Sequence, residues 1–273
     1  MEKPNMRTAA AVALLAAGLF ASVNALGEEV NMYDGQWHYG VTIYGWFPNI
    51  YQTLDFPRLG DPEVEVKPSS YLHDLQFAVM FAGQARKGDW AIVTDLVYND
   101  FSSLSSKVKK VQGPGGEVDL PVTATVNSGL RSTFWTLAAS YTAVRNPSGT
   151  LDVMGGFRYA NMNVSADWNL AGPIGIFSPS GSVSKTVNLW DGIVGTHGAV
   201  KLSDDGKWYM PYEADIGWGN NNWTWNALLG LGYKFDWGDI VFAYRNLSYD
   251  QTAGQPIQNM RMTGPLLGVS FHW

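Results

Sequence analysis

The sequence predicts an all-β fold: a closed antiparallel up-and-down barrel of about ten strands that crosses a membrane. Three observations carry that prediction. Apolar and polar residues alternate with period two over long segments. Tight turns alternate with mostly longer polar connections. Aromatic residues gather where the segments end.

Residues 1–25 are set apart first. Basic Lys3 and Arg7 precede an apolar stretch from Ala9 to Ala21, and Val23-Asn24-Ala25 offers the small residues of a cleavage site. That is the pattern of a secretory signal peptide, too short for a membrane span of about 20 residues. The expected mature chain, 26–273, is the barrel domain. Removing Glu2, Lys3 and Arg7 takes the net charge from −6 to −7, which argues against a nucleic-acid partner. With no cysteine, an exported chain has no disulfide frame. No mature segment has 18 consecutive apolar residues, so a helical span is not expected.

The strands read in order as 36–47, 72–86, 89–101, 122–145, 150–162, 184–202, 207–218, 222–235, 238–250 and 260–273. In 222–235, Trp223, Trp225, Ala227, Leu229, Leu231, Tyr233 and Phe235 share one face. Thr224, Asn226, Gly230, Gly232 and Lys234 share the other, broken only by Leu228. The segment 207–218 sets Trp208, Met210, Tyr212, Ala214, Ile216 and Trp218 against Tyr209, Glu213 and Asp215. Tight turns are expected at 87–89, 146–149, 203–206 and 236–239, where Gly, Asn, Asp and Pro supply hairpin dihedrals. Longer connections are expected at 48–71, 102–121 and 163–184, with shorter ones at 218–222 and 250–259. A hairpin within 48–71 would raise the count to twelve; eight is the lower alternative.

A soluble sandwich or lipocalin-like barrel also alternates. Its strands average about five or six residues, however, against twelve or more here. Charged residues make up only 15% of the chain, compared with about 25% in soluble domains. The polar faces are rich in Gly, Ser, Thr and Asn rather than charge. Trp37, Tyr39, Trp90, Trp208, Trp218, Trp223 and Trp273 lie at strand ends, where an indole keeps its ring among acyl chains and its N–H among headgroups.

The signal peptide, the alternation and the terminal strand "PLLGVSFHW" resemble Gram-negative outer-membrane β-barrel proteins. In that class the last strand is read by the barrel-assembly machinery. The matching positions here are Leu267, Val269, Phe271 and Trp273. "YGWFPNI" (44–50) and "ARKGDW" (85–90) are similar to stretches of a proteobacterial outer-membrane family without an assigned activity. The resemblance implies the cell outer membrane as location. It also implies outer-membrane lipid, lipopolysaccharide and the assembly machinery as partners.

With the aromatic faces toward lipid, the inward residues include Tyr44, Gln76, Arg86, Asp95, Asp152, Arg158, Asp191, His197, Lys201, Glu213, Asp215, Lys234 and Arg245. The segment 184–202 is phased by its charges. Turning Asp191, His197 and Lys201 outward would put a lysine in lipid at a cost of about 2–4 kcal/mol, so Leu189 and Ile193 point inward instead. Five acids against five bases suggest a lumen filled by pairs rather than a pore with one excess sign. Counting from the short turns places Asp95, Arg158, His197, Glu213, Asp215 and Arg245 in one mid-barrel layer.

The expected function is a non-catalytic outer-membrane barrel with a closed lumen. The alternatives are a narrow passive channel and a lipid- or peptide-cleaving enzyme at the outer rim. His38 and His272 fall at the periplasmic ends; His73 beside Asp74 is the rim histidine an enzyme would need. No residue spacing calls for a metal or other cofactor, and "GPGG" (113–116) has no following helix to make a phosphate cradle. Arg131 shares the outward face with Trp135 and Tyr141, as a snorkelling residue or a contact to lipopolysaccharide phosphate.

Overall fold

In the computed structural model, residues 31–54, 63–66, 68–71, 75–107, 123–171, 180–220, 222–251 and 257–273 are described. The signal peptide, His73, "GPGG" and the side chain of Gln76 lie outside the described residues. The elements are β1 (Trp37–Trp46), β2 (Asn49–Leu54), β3 (Glu63–Val66), one helical turn α1 (Pro68–Tyr71), β4 (Leu75–Lys87), β5 (Trp90–Lys107), β6 (Thr123–Asn146), β7 (Gly149–Ala171), β8 (Ser180–Lys201), β9 (Trp208–Gly219), β10 (Asn222–Phe235), β11 (Gly238–Gln251) and β12 (Ile257–His272).

Each strand from β4 to β12 pairs antiparallel with the next, β1 pairs with β4, and β1 closes on β12. The barrel therefore has ten strands, although the 48–71 region does hold a hairpin. The first strand explains this. β12 pairs with β1 from His272↔Gly40 to Leu266↔Trp46, and with β2 from Thr263↔Asn49 to Asn259↔Thr53, in one register that slips only at Ile257↔Leu54. Phe47 N–H still donates to Pro265 O at 2.9 Å. Pro48, which has no N–H to give, falls between the two segments. β1 and β2 are one strand of the wall, and β3 pairs with its outer part.

At the periplasmic turns, Gly88 (φ 58°) and Gly206 (φ 68°) adopt left-handed conformations that favour glycine. The outward face is apolar in the middle. Ile92, Leu229, Phe242 and Leu267 are each more than half exposed, a placement that hydrocarbon tolerates and water penalises. Two aromatic rims bound this band. Trp37, Tyr39, Trp90, Tyr141, Trp208, Phe235 and Trp273 form the periplasmic one; Tyr98, Trp135, Tyr159, Trp190, Trp218 and Trp223 form the outer one. Between six and twelve residues, about nine on average, separate the rims along a strand. At about 3.3 Å per residue and a tilt near 40°, that average spans about 23 Å along the axis, close to the height of a lipid-facing belt.

Beyond the outer rim both faces of the wall change character. On β7, outward Val153, Phe157 and Tyr159 give way to Asn161 and Asn163. On the inward side, buried Asp152 and Arg158 give way to buried Ala160 and Met162. On β8, outward Val194 and Trp190 give way to Asn188 and Thr186, and inward Asp191 to Leu189 and Val187. Outside the bilayer the barrel is therefore built like a soluble one. An apolar core of Trp46, Ile50, Phe134, Met162, Leu247, Tyr249, Met260 and Met262 fills it, and an amide ladder (Asn161 and Tyr159 to Asn188, Asn163 to Thr186) coats it.

This corrects the expected loops. β5–β8 run through 102–107, 163–171 and 180–184, so the wall stands tall on one side. β6 extends twelve residues beyond Trp135, about 30 Å along the axis at that same rise and tilt. β9 ends only one residue beyond Trp218.

Candidate functional site

The lumen network is built on alternation. Every second residue of each strand points inward, so charged residues on neighbouring strands meet across the barrel. Arg245 on β11 is its hub. Its Nη1 donates to Asp95 Oδ2 at 2.6 Å and to the Tyr44 hydroxyl at 3.3 Å; its Nε donates to Asn226 Oδ1 at 2.9 Å. Tyr44 O–H donates to the other oxygen of Asp95. The guanidinium carbon lies 5.1 Å from the Trp46 ring centroid, so the apolar core roofs the cation. Asn226 Nδ2 donates to both Glu213 Oε1 (2.6 Å) and Asp215 Oδ2 (3.0 Å). Asp215 also accepts from Arg158 Nη2 at 2.8 Å, with both side chains buried. Arg158 Nε donates to Thr136 Oγ1 at 3.1 Å. At the outer edge Asn222 Nδ2 donates to Asp191 Oδ1 at 2.6 Å.

A second cluster lies nearer the periplasm. Arg86 pairs with Asp152 and donates to Thr142 Oγ1 at 2.6 Å. Ser140 Oγ lies 2.9 Å from His197 Nε2 and donates to Asp152 Oδ2 at 3.3 Å. Beneath it the residues before β1 cross the mouth. The Tyr33 ring meets Arg86 at 4.9 Å and Arg145 at 4.3 Å. His38 Nε2 lies 2.7 Å from Asp34 Oδ1. That bond, with the Gln36 N–H, holds the Asp34 carboxyl below its ordinary pKa.

No family model and no curated protein matches the chain. Among solved structures it is similar to the outer membrane protease OmpT of Escherichia coli at 9% identity. That match covers 91% of this chain and all of the other, with a TM-score of 0.52. It is also similar to the translocator domain of the autotransporter NalP of Neisseria meningitidis, at 13% identity over 97% and 96% of the two chains with a TM-score of 0.36. The OmpT likeness concerns the fold. Together with the aromatic-rimmed apolar belt, it decides the class. The chain is a β-barrel of the Gram-negative outer membrane.

Five of the six residues expected in one layer do meet within this outer-membrane barrel: Asp95, Arg158, Glu213, Asp215 and Arg245. His197 hydrogen-bonds in the lower cluster instead, although its register partner is Glu213. Counting residues from the turns misses this because tilted strands stagger, so equal counts do not mean equal height. The expected balance of charge also changes. Lys201 and Lys234 are exposed at the periplasmic end, so five acids share three interior arginines. Among the described residues, Asp191 and Glu213 have amide partners but no ion pair, and Asp191 Oδ2 has no protein partner.

Ser140, His197 and Asp152 are the residue types of a nucleophilic triad, and Ser140 is a member that the sequence reading missed. The geometry is wrong for that chemistry. One ring nitrogen, Nε2, faces both Ser140 Oγ and Asp152 Oδ2 (3.8 Å), whereas a triad holds the acid on the other nitrogen. Ser140 is fully buried. Among the described residues, no group of three or more His, Cys, Asp or Glu side chains could hold a metal ion. Asn226 was also missed as a hub; its signal was an amide on the inward side of a strand with no turn nearby.

Arg131 faces outward at the outer rim. It is paired with Asp100 on β5 through Nη2 (2.8 Å) and Nε (3.0 Å). Leu267, Val269, Phe271 and Trp273 share the outward face of β12.

Proposed function

We propose that this is a non-catalytic outer-membrane barrel with a sealed lumen, working through its tall outer wall and its contacts with the envelope. One observation carries the reading: the Arg245–Asp95–Tyr44 bridge joins β11, β5 and β1 directly beneath an apolar core. A permeating ion would have to break buried charge pairs and then cross that core, at several kcal/mol for each stranded charge. Outer-leaflet lipopolysaccharide and the barrel-assembly machinery at the Trp273 strand are the partners this reading implies.

Planar-bilayer recording tests it. The wild-type barrel is expected to give no steady single-channel steps. Reproducible steps that change when Glu213→Gln and Arg245→Met are combined would refute the sealed lumen. Turnover of lipid A or peptide, abolished by His73→Ala or Ser140→Ala, would refute the non-catalytic assignment.

A further inference from the structure

Two guanidinium groups face outward where the wall turns from apolar to polar, and they differ. Arg131 is neutralised by Asp100. Arg261 is exposed on β12, twelve residues from the periplasmic end, between buried Met260 and Met262. Among the described residues it has no carboxylate within ion-pair distance. The outward acid two positions further along the ladder, Asp250, accepts from Asn259 Nδ2. The Arg261 guanidinium instead lies 4.8 Å from the ring centroid of Tyr51, its register partner on β2.

We propose that Arg261, stacked on Tyr51, is a seat for a phosphate of an outer-leaflet lipid headgroup. A stacked guanidinium gives up one face to the ring and keeps its edge of N–H donors free. That edge matches two phosphate oxygens in a bidentate pair, which an ammonium cannot do. Its height is that of the outer aromatic rim, where headgroups begin. A cation there with no counter-charge among the described residues is completed by the lipid's anion. The inference rests on the outer-membrane placement and not on the sealed lumen, so each can fail without the other.

The test uses the mature protein with bisphosphorylated lipid A, and counts retained lipid by native mass spectrometry. Wild type is expected to bind about ten times more tightly than Arg261→Ala. Arg261→Lys should fall between them, Tyr51→Leu should lose several-fold, and Arg131→Ala should lose less than twofold. Lipid A stripped of its phosphates, with the same acyl chains, is expected to bind wild type and Arg261→Ala alike. Equal retention of the phosphorylated lipid by wild type and Arg261→Ala overturns the proposal. So does displacement of the lipid by millimolar inorganic phosphate, which would make the site one for a soluble anion.

Discussion

Replacing Arg245 by methionine tests whether the mid-lumen bridge holds the barrel together. Methionine keeps the packing against Trp46 and removes the charge. The loss strands Asp95, Asn226 Oδ1 and the Tyr44 hydroxyl oxygen together. Breaking a buried ion pair from one side costs about 3–5 kcal/mol. The Asp95 side chain is 22% exposed, so water relieves part of that, and the expected loss is near the lower end, about 3 kcal/mol. Asp95→Asn should cost less, about 1–2 kcal/mol, because Arg245 keeps its bond to Asn226 and acids outnumber bases in the lumen. The Asp95→Leu/Arg245→Met double variant should recover most of the loss, with a coupling of about 2 kcal/mol. Urea unfolding in lipid vesicles, followed by tryptophan fluorescence, measures all three. A loss below about 1 kcal/mol for Arg245→Met, or strict additivity in the double variant, refutes the reasoning.

Other perturbations reach other parts of the molecule. Leu247→Ala opens the fully buried outer core and should cost about 3 kcal/mol in the same unfolding assay. Deleting Trp273 together with Phe271→Asn removes two outward aromatics from the terminal strand, and should lower the heat-modifiable folded fraction recovered from cells. The Asp34 carboxyl has a folded pKa below its unfolded value. Its contribution is therefore complete above the ordinary carboxylate pKa and lost as pH falls through the lowered one. Hydrogen exchange at 31–36 should accelerate over that acidic window, and the acceleration should vanish in Asp34→Asn.

Strand phase was legible because hydrocarbon enforces it. Asp215 or Asn226 on the wrong side would be costly, so β9 and β10 have one permissible reading. Even Leu189 and Ile193 point inward as the charges on β8 require. What lies above the outer rim was harder to read. Asn161-Met162-Asn163 still alternates, but with the meaning of each face reversed, so a rule tuned to lipid ends the strand there. The partners within the lumen were only half legible. Sequence identifies which residues face inward, whereas stagger decides that Asn226 bridges two acids and that His197 meets Ser140.

The reversal of the two faces acts as a waterline. A displacement of two residues along the strands, about 5 Å along the axis, would drown Asn161 and Asn188 in acyl chains. The opposite displacement would lift Tyr98 and Trp190 into saccharide and water. A bilayer of the wrong thickness must stretch or thin around this rigid collar, since the collar cannot move to suit it. The draught of the vessel is thus written into its hull.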